Sequence, residues 1–268
     1  MQPEEPEFSP LRPREETTAA EPVAVEAPPS PPAREPFWGY LDLALMMGLL
    51  FASFVLIGVA LYFVVRLNPR LSEDPTPLAV PVQFVLYGLI YVCFRLVLGL
   101  RYHRPVLASL GWRPSGFNLL AAAGGGVLLA FGITGLASLL HTPKVPSPVD
   151  KLVDTPFSFA MVALLAVVAA PFFEELFFRG FLQPLFSRTF GVIAGILVTA
   201  VLFGSLHGPE YSWAWQYVIA ISLAGAVFGW VRAHANSIIP SVVMHGCFNA
   251  MSVIALAVTK YSKYKLDI

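Results

Sequence analysis

Long apolar stretches separated by short polar segments make up the chain after its first 37 residues. A helix needs about 20 mostly apolar residues to cross the ~30 Å hydrocarbon core of a bilayer. By that rule the pattern predicts spans at 38–65, 79–100, 117–140, 157–187, 190–207, 213–231 and 237–258. The sequence therefore predicts an all-α polytopic membrane protein, a bundle of about seven or eight transmembrane helices.

The composition agrees with a membrane protein. Hydrophobic residues make up 56% of the 268 positions and charged residues only 13%, with a mean hydropathy of +0.68. Soluble domains contain about 25% charged residues. The two cysteines, Cys93 and Cys247, both lie in apolar runs. A disulfide framework and a cysteine-based zinc site are therefore excluded.

Three segments follow from the charge and proline pattern. Residues 1–37 contain ten prolines, eight acidic and three basic residues, and few large apolar side chains. Such a segment buries too little surface to offset the entropy of ordering, so we predict that it is disordered. Residues 38–260 form the predicted transmembrane domain, and 261–268 form a short basic tail.

Small residues recur inside the predicted spans. The stretch AAAGGGVLLAFG covers 121–132, and Gly225 and Gly229 lie four residues apart. The glycine cluster matches neither the dinucleotide-binding nor the Walker A pattern. Small residues at this spacing let helix backbones approach closely in lipid, so we interpret them as packing positions.

Two adjacent glutamates and an arginine interrupt the fourth predicted span, in AAPFFEELFFRGFL. A charge at bilayer depth costs roughly 2.5–3.5 kcal/mol on insertion scales, so these residues need a reason. Glu175 and Arg179 share a helix face at a spacing of four and are predicted to pair. Glu174 is rotated by about 100°, so we expect the two carboxylates not to share one partner. The alternative is that all three residues form one packing network.

Two further clusters contain histidine. Phe203 and His207 are four residues apart in LFGSLHG, and His245 and Asn249 are four apart in MHGCFNA. Taken alone, His207 is more often an interfacial histidine, and the second cluster more often an interhelical hydrogen-bond pair. Counting residues along the helices, all three clusters can reach one site inside the membrane.

These side chains suit hydrolysis. Glu174 can take a proton from water, and His207 and His245 can hold a divalent metal. Asn249 can complete the metal coordination or stabilise an oxyanion. No serine or cysteine nucleophile stands out near them. By chemistry alone, a proton-coupled transporter with buried Glu and His remains an equal alternative.

The three motifs EExxxR, FxxxH and HxxxN, in this order, closely resemble the CPBP family of intramembrane proteases, also called the CAAX prenyl protease 2 or Abi family. The stretch LAGAVFGWVRAHANSIIPSVVMHGCFN at 223–249 resembles the family's glycine-rich helix, turn and final histidine helix. LASLGWRP at 107–114 resembles its polar segment more weakly. The resemblance covers about 105–255, which is the expected CPBP-like core.

The resemblance implies an intramembrane endopeptidase in which Glu174 activates water and Glu175 supports it by pairing with Arg179. His207, His245 and Asn249 would then hold a divalent metal, with Zn²⁺ favoured. In a metal-independent mechanism they would position the water and the oxyanion. The sequence decides neither form, and no HExxH motif is present.

The expected partners are a membrane-associated peptide or protein substrate, prenylated and CAAX-like in some relatives, and the lipid bilayer, but no nucleic acid. The expected location is the cell (plasma) membrane, with several spans. Two other functional classes stay open. One is a non-catalytic membrane scaffold or bacteriocin self-immunity protein, and the other is a proton-coupled transporter. A transporter of this size would more often show matched halves, and none is apparent.

Overall fold

Helices account for most of the chain that the computed structural model describes, namely residues 36–73, 76–145, 149 and 152–266. The α-helices are α1 Tyr40–Leu67, α2 Pro69–Glu73, α3 Thr76–Phe94, α4 Val106–Ser109, α5 Leu119–Leu139, α6 Pro156–Leu164, α7 Ala170–Glu175, α8 Gln183–Phe190, α9 Val192–Leu206, α10 Trp215–Ala235 and α11 Ile239–Leu266. Within these described ranges there is no strand, so the all-α fold is confirmed. Residues 1–35, which belong to the segment predicted to be disordered, lie outside the described residues.

Among the described residues, six helical segments are long and apolar enough to cross a membrane. They are Tyr40–Leu67, Thr76–Leu100, Leu119–Leu139, Pro156–Phe190, Trp215–Ala235 and Ile239–Lys260. The seventh predicted span, 190–207, corresponds to α9, an apolar helix of 15 residues. At 1.5 Å per residue, α9 is shorter than the ~30 Å hydrocarbon core. The chain is therefore an integral, multi-pass membrane protein.

The segment Pro156–Phe190 is one long helix in which two π-helical segments interrupt the α-helix. It consists of α6, α7 and α8, joined by π-helical segments at Leu165–Ala169 and Leu176–Leu182. Thr155 caps its start, because the hydroxyl accepts the Ser158 N–H at 3.1 Å and Pro156 occupies the first turn. π-Helical turns are rare and often mark functional sites. Here they flank the short helix α7 that holds both glutamates.

Pro171 leaves one backbone carbonyl oxygen of the first π-helical segment without a backbone N–H donor. In this segment the Ala170 N–H bonds to the oxygen of Leu165, five residues back. The next donor in that pattern would be residue 171 bonding to Ala166, but proline has no N–H. The carbonyl oxygen of Ala166 therefore needs another donor inside the membrane.

Glycines allow close contact between helices at several places, as the sequence predicted. α5 packs against α11, and a Cβ on Gly126 would lie 2.2 Å from the backbone oxygen of Met244. Gly124 and Gly132, in the same stretch, face open space. The packing interpretation is thus correct for Gly126 and is not needed for every glycine of the cluster.

The pair Gly225 and Gly229 has a second effect, because its backbone oxygens accept side-chain hydrogen bonds. Arg179 Nη2 donates to the oxygen of Gly225, and Gln183 Nε2 donates to that of Gly229, each at 2.9 Å. Because these two positions of α10 lack a Cβ atom, both side chains reach its backbone. These two bonds fix α10 against the long helix 156–190 next to the glutamates.

Candidate active site

A buried ion pair lies at the centre of the bundle. Arg179 Nη1 is 2.9 Å from Glu175 Oε1, and both side chains are fully shielded from solvent. The pairing that the spacing of four predicted is present. The other carboxylate oxygen, Glu175 Oε2, and Arg179 Nε have no hydrogen-bond partner among the described residues. Two charges are therefore held in the interior, and each depends on the other to remain there.

His245 contacts both glutamates through its two ring nitrogens. Its Nδ1 lies 3.0 Å from Glu175 Oε1, and its Nε2 lies 3.8 Å from Glu174 Oε2. Our expectation that the carboxylates would not share a partner was wrong for this residue. The two glutamate side chains point about 100° apart around the helix, so Arg179 pairs with only one of them. The imidazole of His245 has a nitrogen on each side of its ring and can therefore contact both carboxylates.

The contact with Glu175 determines which nitrogen of His245 bears the proton. A carboxylate accepts hydrogen bonds, so we assign the proton to Nδ1, which donates to Glu175. Nε2 then has a free lone pair directed at the Glu174 side. The same arrangement of carboxylate, imidazole and free Nε2 orients histidines in many hydrolytic sites.

Three phenylalanines surround the arginine and the histidine. The Arg179 guanidinium carbon lies 4.4 Å from the ring centre of Phe203, 5.4 Å from that of Phe228 and 5.7 Å from that of Phe178. The His245 ring stacks on Phe228, with centres 4.6 Å apart and planes 20° apart. These rings exclude water and stabilise the cation through their faces. Sequence reasoning missed Phe178 and Phe228, since phenylalanine in an apolar span gives no distinct signal.

Glu174 is the more accessible of the two glutamates. Its side chain is 21% exposed, whereas that of Glu175 is fully buried. Glu174 Oε2 faces His245, and Glu174 Oε1 accepts a hydrogen bond of 3.5 Å from the Tyr87 hydroxyl. Tyr87 lies on α3 and was not among the residues that the sequence singled out. The environments of the two adjacent carboxylates are therefore very different.

His207 lies beside this group and is linked to it by a phenyl ring. It follows α9 directly, and its Nδ1 is 2.8 Å from the backbone oxygen of Phe203. A carbonyl only accepts, so Nδ1 bears the proton here as well and Nε2 is the free nitrogen. The Phe203 ring centre is 4.7 Å from that of His207 and 5.7 Å from that of His245. The two imidazoles thus flank one aromatic ring.

Asn249 contacts the backbone instead of a glutamate. Its Nδ2 donates to the oxygen of Ala166 at 2.8 Å, the carbonyl that Pro171 leaves without an N–H partner. One amide hydrogen of Asn249 is used in this way, whereas its Oδ1 is not. Asn249 and His245 are one turn apart on α11, so this bond also fixes the height of His245 relative to α7.

The acidic side chain of Glu210 follows His207 on the turn Gly208–Tyr211, outside the membrane-spanning helices. Solvent reaches much of this residue, but the surrounding protein removes part of the hydration of its carboxylate. This loss of hydration raises the pKa of Glu210, nearby His207 opposes the change, and Glu174 adds to it. Glu210 is therefore close enough to both residues to influence them electrostatically, and the sequence analysis did not identify it.

The donor atoms suit a metal only in part. His207 and His245 both present a free Nε2, which is the form of histidine that binds divalent ions. In the described part of the chain, however, no three His, Cys, Asp or Glu side chains are grouped so that they could hold an ion together. The predicted metal ligands His207, His245 and Asn249 therefore remain a prediction.

Comparison with known proteins gives one result. Residues 156–251 match the family model described as type II CAAX prenyl endopeptidase, Rce1-like. No curated protein and no solved structure matches the chain significantly. The matched segment runs from the start of α6 into α11 and contains all six predicted site residues: Glu174, Glu175, Arg179, His207, His245 and Asn249. The resemblance drawn from the motifs is thus confirmed by a family match over residues 156–251.

Proposed function

We propose that this protein is an intramembrane endopeptidase in which the Glu174 carboxylate activates the attacking water. The observation that supports this most strongly is the placement of His245 between two glutamates with unequal surroundings. Glu175 is buried and neutralised by Arg179, whereas Glu174 is partly accessible and faces a free imidazole nitrogen. Such a division leaves Glu174 as the carboxylate that can take a proton.

A water molecule can bridge Glu174 and His245 from one side of the line that joins them. Glu174 Oε2 and His245 Nε2 are 3.8 Å apart, so a water at ~2.8 Å from each atom can donate one hydrogen bond to each of them. Both partners are acceptors, and the oxygen lone pair of the water then points away from them. In this position the water is oriented to attack a peptide carbonyl placed above it.

The proposed reaction then follows from proton transfers at named atoms. The water oxygen bonds to the carbonyl carbon as Glu174 Oε2 takes one of its protons. The tetrahedral intermediate breaks its C–N bond, and Glu174 returns that proton to the leaving nitrogen. The products are a new carboxyl terminus and a new amino terminus. We propose that the second amide hydrogen of Asn249 donates to the oxyanion, and that His207, whose free Nε2 can only accept, orients the substrate beside it.

Glu175 and Arg179 support the reaction without touching the substrate. Glu175 keeps His245 in the tautomer with a free Nε2, and Arg179 keeps Glu175 ionised and fixed. The three surrounding phenylalanines keep this support dry, which strengthens its electrostatic effect. Loss of Glu175 should therefore affect the chemistry as well as the fold.

Metal assistance is the second form of the proposal. His207 and His245 would hold a divalent ion through Nε2, with Zn²⁺ favoured and Asn249 Oδ1 as a further donor. When bound, such an ion would acidify water and polarise the substrate carbonyl. Bringing the two histidines together with a third ligand would require movement of α9 or α11, since no three-ligand group exists among the described side chains.

For the substrate, the family description suggests the carboxyl-terminal region of prenylated CAAX proteins. The position of the site inside helices that can span the bilayer supports a membrane-associated substrate. We propose the plasma membrane as the location. No feature of the site favours the transporter or the non-catalytic scaffold.

The test is cleavage by purified protein in liposomes, with a farnesylated CAAX peptide and its unfarnesylated form as substrates. We expect cleavage of the farnesylated peptide by the wild type, and none by Glu174→Ala, His207→Ala or His245→Ala, although each variant still folds and unfolds cooperatively. Metal content and the effect of a chelator are measured on the same samples. Stoichiometric zinc that is lost in both histidine variants supports the metal form, and a fully active metal-free sample contradicts it.

A further inference from the structure

Tyr87 is the one side chain outside the family-matched segment 156–251 that donates a hydrogen bond to Glu174 among the described residues. It lies in the middle of α3, and only 6% of it is exposed. α3 packs against α7, the short helix that holds both glutamates. A polar group that is buried at bilayer depth needs a partner, and Tyr87 has found one in the proposed base.

The ring of Tyr87 is held in place independently of its hydroxyl. It stacks on Phe173, with ring centres 4.9 Å apart and planes only 9° apart. Phe173 immediately precedes Glu174, so the stack links α3 to the backbone of the proposed base. The stack therefore holds the ring in place, and the ring carries the hydroxyl to Glu174.

The two oxygens of Glu174 consequently have separate partners. Oε1 accepts the hydroxyl proton of Tyr87 at 3.5 Å, and Oε2 lies 3.8 Å from His245 Nε2. A glutamate side chain has three rotatable bonds, and its carboxylate turns readily when nothing holds one oxygen. Fixing Oε1 leaves Oε2 directed toward the imidazole and the proposed water.

We propose that Tyr87 is a positioning residue for Glu174, and this proposal rests on the proposed peptidase function. Its hydroxyl orients the carboxylate so that Oε2 is the oxygen that takes the proton. The family-matched segment alone would then provide the reacting groups, while α3 provides the orientation of the base. The 3.5 Å separation is long for a hydrogen bond in the resting protein, and it is expected to shorten when substrate closes the site.

The test compares Tyr87→Phe with Tyr91→Phe, a partly buried tyrosine one turn further along the same helix. Both changes remove one hydroxyl and keep the ring, but only the Tyr87 hydroxyl contacts Glu174. We expect Tyr87→Phe to lower kcat about five- to tenfold with KM unchanged, which corresponds to the loss of one modest hydrogen bond. Tyr91→Phe should keep both constants at wild-type values.

A second measurement does not depend on activity. Melting temperatures are compared for the wild type, Tyr87→Phe, Glu174→Ala and the double variant. If the hydroxyl contacts the carboxylate, Tyr87→Phe lowers the melting temperature in the wild type but not in the Glu174→Ala background. The same effect in both backgrounds would overturn the contact.

The outcomes separate the two proposals. If the wild type cleaves but Tyr87→Phe keeps its full kcat, or changes KM alone, the positioning role is overturned and the peptidase function stands. If the wild type cleaves none of the peptides, the proposed function fails. In that case the melting temperatures of the four proteins still show, without any activity, whether the Tyr87 hydroxyl contacts Glu174.

Discussion

His245 donates its Nδ1 proton to Glu175 across 3.0 Å, and this bond decides what the other side of the imidazole can do. Nε2 is left unprotonated, 3.8 Å from the carboxylate of Glu174. The two neighbouring glutamates thus act on one histidine from opposite sides. One fixes its tautomer, and the other shares with it the space for a water molecule.

The Arg179–Glu175 pair should be essential for stability because neither charge can reach water. Arg179→Met leaves Glu175 buried without its cation, and we expect the free energy of unfolding to fall by about 3–5 kcal/mol. The double variant Glu175→Leu/Arg179→Met replaces the pair by apolar side chains and should recover most of that loss. Unfolding in detergent, followed by circular dichroism, measures both.

Activity should not follow stability in this pair of variants. The double variant lacks the acceptor for His245 Nδ1, so we expect it to fold and to cleave nothing. If it cleaves at the wild-type rate, the role assigned to Glu175 in orienting His245 is wrong. If it is no more stable than Arg179→Met, the burial of the pair is not what determines stability.

Gly126 should tolerate no side chain, because a Cβ there would lie 2.2 Å from the backbone oxygen of Met244 on α11. Gly126→Ala must push α5 away from α11, and we expect a loss of about 1–3 kcal/mol in unfolding free energy. Gly124→Ala is the matched control, since nothing lies within 4 Å of a Cβ at that position. Equal melting temperatures for the two variants would contradict the close contact of α5 with α11.

Asn249 should stabilise the π-helical segment by replacing the N–H that Pro171 lacks. Asn249→Ala leaves the Ala166 oxygen without its 2.8 Å donor, and we expect a loss of about 1–3 kcal/mol. Pro171→Ala restores a backbone N–H that can bond to this oxygen. The double variant should therefore be more stable than Asn249→Ala, by the same melting measurement. Additive losses in the double variant would show that Pro171 and Asn249 are not coupled.

Sequence periodicity predicted the features that depend on a single helix. The spacing of four between Glu175 and Arg179 was enough to predict their pair, and the apolar stretches were enough to locate the membrane helices. Gly225 and Gly229 were recognised as packing positions for the same reason. Within one helix, residue spacing fixes which side chains share a face, so these predictions needed no knowledge of the neighbours.

Contacts between helices were harder to predict. That His245 bridges both glutamates depends on the distance from α11 to α7, which no spacing encodes. The bond from Asn249 to Ala166 depends on a change of pitch from α to π beside Pro171. Tyr87 lies 87 residues before Glu174 in sequence, outside any motif, and its approach follows from how α3 packs on α7.

The central claim is that the Glu174 carboxylate takes a proton from the attacking water. It is tested most directly by Glu174→Gln, which keeps the size of the side chain and removes its basicity, with Gln183→Ala as a control that loses a different polar contact of the same long helix. Single-turnover cleavage of the farnesylated CAAX peptide is followed in liposomes by mass spectrometry. We predict that Glu174→Gln lowers the cleavage rate by at least about 10²-fold, the usual contribution of a general base, while its melting temperature stays within a few degrees of the wild type. Cleavage by Glu174→Gln within about threefold of the wild-type rate would contradict the account, because a general base cannot be lost at so small a cost.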